Sequence, residues 1–95
     1  MFIVRETFTA KPGMASKLAK MFREMSGEMA GVKSRVLTDF IGPYNTVVWE
    51  VEVKELGDFE KMMKEYASKP EMGKKMAGYT EMYQTGTREI YRVVD

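Results

Sequence analysis

The chain has 95 residues, 44% of them hydrophobic and 31% charged, and its 15 basic and 14 acidic residues leave a formal net charge of +1. This length predicts one small domain over residues 1–95, and the near-neutral charge argues against nucleic acid or an anionic membrane as the partner. Neither cysteine nor histidine occurs, which excludes disulfides, thiolate nucleophiles and histidine-ligated haem or zinc.

The remaining strong metal ligands are carboxylates, and they follow neither calcium-loop nor paired-glutamate spacing. We therefore expect no metal and no cofactor. The N-terminal residues enter a strand pattern at once, without the features of a secretory signal, and no apolar run approaches the ~20 residues of a membrane span. A cytoplasmic location without a membrane partner is the expectation.

The first strand pattern begins at Phe2. Phe2, Val4 and Phe8 fall on one face together with Glu6, whereas Arg5 falls on the other face with Ile3 and two threonines. The first face is the better candidate for the core.

A helix follows the first strand and is expected to start close to Pro12, because proline is tolerated in a first helical turn. Gly31 is well placed to end it, since glycine readily adopts the left-handed conformation of a C-terminal cap. The apolar positions between them are spaced by three and four residues and predict one buried face: Met14, Leu18, Met21, Phe22, Met25 and Met29.

The middle of the chain predicts a β-hairpin, in which a turn at residues 42–45 joins strands 32–41 and 46–53. With Ile41 opposite Thr46, Arg35 lies opposite Glu52 and Leu37 opposite Glu50. Four apolar residues of the second strand then share the face that the helices can cover: Val47, Trp49, Val51 and Val53.

A second helix is expected from Gly57 and Asp58, with Asp58 able to cap free backbone donors. Residues 70–79 predict a short extra helix, and residues 84–94 a last strand whose faces the pattern does not distinguish. The second helix carries this apolar stripe: Leu56, Phe59, Met63, Tyr66 and Ala67.

The order strand, helix, strand therefore occurs twice. It predicts an α+β fold, the ferredoxin-like βαββαβ plait with a four-stranded antiparallel sheet.

Four charged residues share the mixed face of this sheet: Arg5, Arg35, Glu50 and Glu52. In a closed cavity they would form an orienting or acid-base cluster, and on an open sheet a solvated surface. Trp49 is interpreted either as core packing or as a platform for a flat ligand. The ten methionines fit a core, with an adaptable ligand surface as the alternative.

The order of elements resembles that of the dimeric α/β-barrel superfamily, and three segments are similar to it in sequence: FTAKPG at 8–13, VVWE at 47–50 and GTREIY at 86–91. Within it, the chain is most similar to small NIPSNAP-like and antibiotic-biosynthesis-monooxygenase-like proteins. The resemblance implies a homodimer in which two plaits pack through their sheet faces, which would cover the charged face.

The resulting hypothesis is a homodimer that binds a small, partly apolar molecule in a cavity lined by the sheet, with catalytic residues not assigned. The alternatives are a cofactor-independent monooxygenase or isomerase for a cyclic aromatic substrate, and a module that serves assembly only. The candidate ligand-binding residues are Arg5, Trp49, Glu50, Arg35 and Glu52.

Overall fold

A computed structural model describes residues 1–29 and 31–95. The four strands form one antiparallel sheet in the order β2-β3-β1-β4, which confirms the ferredoxin-like plait. Helices cover one surface of the sheet, here called the helix face, and the opposite surface is called the open face. The elements are β1 Phe2–Ala10, α1 Ala15–Glu28, β2 Ser34–Thr38, β3 Thr46–Val53, α2 Leu56–Ala67, α3 Pro70–Lys75, a 3₁₀ turn Tyr79–Glu81 and β4 Tyr83–Arg92.

The core lies between the helix face and α1, as the apolar patterns predict. Val4 and Phe8 of β1 are buried, and so are Leu18 and Phe22 of α1. The four predicted apolar residues of β3 are buried on the same face: Val47, Trp49, Val51 and Val53.

The start of α1 differs from the prediction, because Pro12 precedes the helix. The Met14 N–H donates to the Lys11 carbonyl at 2.9 Å and closes a turn over residues 11–14. Gly13 has a φ of +81°, which glycine adopts without steric cost. Pro12 therefore belongs to the turn rather than to the first helical turn, and the helix begins at Ala15.

The predicted hairpin exists, but its register was wrong by two residues. Arg35 lies opposite Glu50 rather than Glu52, and Leu37 lies opposite Val48. The turn is longer than predicted because β2 already ends at Thr38. The next residue, Asp39, accepts a side-chain hydrogen bond from the backbone N–H of Thr46, the first residue of β3, at 2.9 Å. A slip of two preserves the faces, since side chains alternate with a period of two.

The prediction for α2 was partly wrong. The helix begins at Leu56, which is exposed like Met63, whereas Met62 is buried. Asp58 acts as the predicted cap, because its carboxylate accepts the N–H of Glu55 at 3.1 Å. The extra helix forms as α3 with Met72 buried. Within the described residues, no helix is long and apolar enough to cross a membrane.

Pairing with β1 decides the faces of β4, which the sequence pattern left open. Arg88 lies opposite Glu6 and therefore belongs to the helix face. Glu89 lies opposite Arg5 and belongs to the open face.

Candidate functional site

Trp49 lies on the helix face, so the sheet separates it from the four charged candidates. Its ring stacks on Phe22 with centroids 5.0 Å apart and planes 15° apart. Its indole N–H donates to the Ser26 hydroxyl at 2.9 Å. The structure therefore does not bring Trp49 together with Arg5, Arg35, Glu50 and Glu52.

A row of alternating charges crosses the open face at right angles to the strands. It runs through Arg35, Glu50, Arg5 and Glu89, one residue from each strand in spatial order. Glu50 accepts hydrogen bonds from the Nε of Arg5 and from the Nε of Arg35, both at 2.7 Å. Two cations thus hold one carboxylate.

Glu50 is the buried member of this row, with a side chain only 6% exposed. Burial raises the pKa of Glu50, but the hydrogen bonds from Arg35 and Arg5 outweigh that effect and leave the pKa below its usual value. Glu50 is therefore an ionised anchor for two arginines, and its lowered pKa makes it a poor proton donor at neutral pH.

The other charged groups of the open face also pair. Lys33 lies 3.8 Å from Glu52. The guanidinium of Arg5 lies 5.2 Å above the centre of the Tyr91 ring, and the Tyr91 hydroxyl donates to Glu89 at 2.6 Å. Arg5, Arg35 and Lys33 thus balance Glu50, Glu52 and Glu89, so these six side chains carry no net charge. Arg5, Arg35, Glu50 and Glu52 together border an open groove of about 320 Å³.

A second candidate site, which the sequence patterns did not predict, is a cavity of about 260 Å³ between the helix face and the helices. We call it the methionine pocket. Phe22 and Trp49 line it on the core side, and α2 and α3 cover it. Five methionines belong to its wall: Met25, Met29, Met63, Met72 and Met76.

An ion pair stands in this mostly apolar wall. Arg88 reaches Oε1 of Glu6 through Nε and Nη2, both at 2.5 Å, and its guanidinium lies 4.9 Å from the centre of the Phe59 ring. The Glu6 side chain is 16% exposed. Its second oxygen, Oε2, accepts no hydrogen bond within the described part of the chain. The pocket therefore offers a free anionic acceptor whose charge Arg88 balances.

Tyr79 adds a phenol to the same wall. Burial raises the pKa of Tyr79, and the neighbouring Tyr83 and Glu6 raise it further. The hydroxyl is therefore protonated at neutral pH and can donate a hydrogen bond. No group of three acidic side chains is placed to hold a metal ion anywhere in residues 1–29 and 31–95.

One signal for this pocket was present in the sequence. Glu6 falls on the apolar face of β1, where a carboxylate needs a partner. The partner, Arg88, could not be identified before β4 was aligned with β1. The methionines fit a core in the sequence, with an adaptable ligand surface as the alternative. Met25, Met29 and Met72 are buried, and they also border the cavity.

Comparison with solved structures shows the same fold in proteins of the predicted superfamily. A NIPSNAP domain protein from Burkholderia xenovorans is 12% identical with a TM-score of 0.84, over 99% of this chain and 95% of that chain. A NIPSNAP family protein from Agrobacterium tumefaciens is 13% identical with a TM-score of 0.84, over 99% and 86%. An antibiotic biosynthesis monooxygenase is 14% identical with a TM-score of 0.71, over 100% of both chains.

At these identities the likeness shows the fold alone. No protein-family model matches the chain, and no curated protein matches it.

Proposed function

We propose that this protein binds a small, uncharged and largely apolar molecule in the methionine pocket. The observation that carries the proposal is a cavity of about 260 Å³ whose wall is mainly thioethers and aromatic rings. Ligand pockets commonly combine such a wall with a few polar groups that set orientation. Methionine side chains adapt to irregular ligand shapes, so a wall with five of them suits a ligand that is not rigidly matched.

The polar groups of the pocket favour an uncharged ligand. Glu6 and Arg88 neutralise each other, so a charged ligand would gain no net attraction and would lose its hydration. The free Oε2 of Glu6 can accept a hydrogen bond from the ligand, and the Tyr79 phenol can donate one. A molecule with an apolar body and one hydroxyl or amino group uses both.

We also propose that two copies associate through their open faces. Four strands about 4.8 Å apart and about eight residues long give a face of roughly 500 Å² before side-chain relief is counted. A standard interface buries about 800 Å² per partner, so the flat area of the open face is of the same order as one side of such an interface. The charges of the face sum to zero, so two copies do not repel. Leu37 and Tyr91 supply exposed apolar surface on it, at 41% and 44% exposure.

The single tryptophan makes the binding proposal directly testable, because Trp49 lines the pocket. Phenylnaphthylamine is an uncharged fluorescent probe that can accept energy from an excited indole. Titration into the purified protein should quench Trp49 emission and raise probe emission with saturation. A matched variant, Met76→Glu, puts a carboxylate into the wall and should abolish the transfer.

The control is unfolding of the variant by heat, which must show that Met76→Glu is folded. A probe that fails to quench Trp49 in the folded wild-type protein would contradict ligand binding in this pocket. If light scattering still found a dimer in that case, the assembly-only alternative would replace the proposal.

Catalysis is the second candidate, supported by a structural neighbour named as an antibiotic biosynthesis monooxygenase that matches over the full length of both chains. Trp49 and Tyr79 would then orient a reduced aromatic substrate in the pocket. Consumption of dissolved oxygen in the presence of a quinol, lost in Tyr79→Phe, would support this function. Equal rates with and without protein would contradict it.

A further inference from the structure

We propose that Gly73 sets the size of the molecule that the methionine pocket admits. This inference rests on the proposed binding function and adds the residue that determines ligand size. Gly73 belongs to α3 and lines the pocket, yet its own surface is exposed. A residue that borders a cavity and also faces outward lies at the mouth of that cavity.

The other side of the mouth belongs to α2. Met63 and Ala67 line the pocket and are exposed as well. Ala67 is the last residue of α2, and α3 begins three residues later at Pro70. Two small residues, Ala67 and Gly73, therefore stand on the two helices that border the opening, and the longer side chain of Met63 is flexible.

Neither backbone conformation nor packing requires glycine at position 73. Gly13 and Gly78 have positive φ angles that favour glycine, whereas Gly73 is helical and does not. Gly86 lies so close to Phe8 that a Cβ would approach the ring to 2.9 Å, whereas a Cβ on Gly73 would meet no atom within 4 Å. Glycine is a poor residue for a helix interior. A Cβ at position 73 would therefore enter open space, and because Gly73 lines the pocket we assign that space to the mouth.

A side chain at position 73 would occupy that space and narrow the opening from the α3 side. The affinity for large ligands would fall most, because their apolar body has to extend past α3. Compact ligands would still fit inside the pocket below α3. The ligand is therefore expected to exceed a single ring in size, and the glycine is the feature that permits it.

The experiment compares the dissociation constants of two uncharged probes of different size, naphthol and phenylnaphthylamine, by titration calorimetry. Gly73→Leu should weaken phenylnaphthylamine about tenfold, since one or two buried CH₂ equivalents are lost, and naphthol less than threefold. Gly73→Ala should weaken phenylnaphthylamine by a smaller factor. Gly27→Leu is the matched control: it is also a helical glycine whose Cβ would meet nothing within 4 Å, but it does not line the pocket.

Equal affinity of wild type and Gly73→Leu for phenylnaphthylamine would overturn the inference, as would an equal loss for both probes or an equal loss in Gly27→Leu. If Gly73→Leu does not fold, Gly73→Ala alone decides, and unchanged selectivity between the probes counts against the inference. Failure of the wild-type protein to bind either probe is a different outcome, because it refutes the binding function itself.

Discussion

Replacing glycine by alanine should have opposite effects on stability at positions 86 and 73. Gly86 lies on β4 directly opposite Phe8 of β1. A Cβ on residue 86 would lie 2.9 Å from two atoms of the Phe8 ring. That ring cannot easily retreat, because it packs against Phe22 and Tyr83 with centroids 5.0 and 4.8 Å away.

The magnitude follows from two opposing terms at Gly86. Overpacking a close-packed site costs about 1–3 kcal/mol, and replacing a strand glycine returns roughly 0.5–1 kcal/mol of that. The midpoints of these ranges leave a net loss of about 1.3 kcal/mol, which lowers the melting temperature of a domain of this size by roughly 5–10 °C. At Gly73 no atom opposes the new Cβ, so alanine should stabilise α3 by about 0.5–1 kcal/mol.

Thermal and urea unfolding followed by circular dichroism measure both variants against the wild type. The expected order of melting temperatures is Gly73→Ala, wild type, Gly86→Ala. Wild-type stability of Gly86→Ala would refute the reasoning, because it would mean that β4 or the Phe8 ring can shift without lowering the free energy of unfolding. Because Phe8 also lines the methionine pocket, Gly86→Ala should change Trp49 energy transfer to a bound probe as well.

Two further outcomes are expected on the open face. Glu50 has a lowered folded-state pKa, so its contribution to stability is present above its unfolded-chain pKa of about 4.3 and is lost as the pH falls through the folded value. The free energy of urea unfolding should therefore change less for Glu50→Gln than for the wild type between neutrality and about pH 3. Parallel pH dependences of the two proteins would contradict the role of the ion pairs. Val48→Lys places a new charge on the open face beside Leu37 and should shift the mass measured by light scattering from dimer to monomer at micromolar concentration, whereas a persistent dimer would contradict association through that face.

Much of the fold could be read from local patterns, because the faces of strands and helices depend on spacing within a short segment. The β1 and β3 patterns correctly predicted which face of each strand the helices cover, and the two-residue error in the hairpin register left those faces unchanged. The error arose at Asp39, whose side chain hydrogen-bonds to the backbone across the turn. A side-chain bond of this kind is not visible in an alternation pattern.

The candidate site was less predictable. The sequence-based set of candidate ligand-binding residues includes both Trp49 and Glu50, although neighbours in a strand point to opposite faces. The structure places Trp49 in the pocket wall and Glu50 in the charged row on the other side of the sheet. Glu6 was visible as a carboxylate on an apolar face, but its role depends on Arg88, which lies 82 positions away in the chain.

By itself, the sequence determined the plait, the two unlike faces of its sheet and the exclusion of thiol and histidine chemistry, since these depend on residue types and on spacings within single elements. Only the tertiary structure decided that β4 brings Arg88 to Glu6, and that α2 and α3 stop short of filling the space above Trp49. Both results depend on how distant segments are aligned, which no local periodicity specifies.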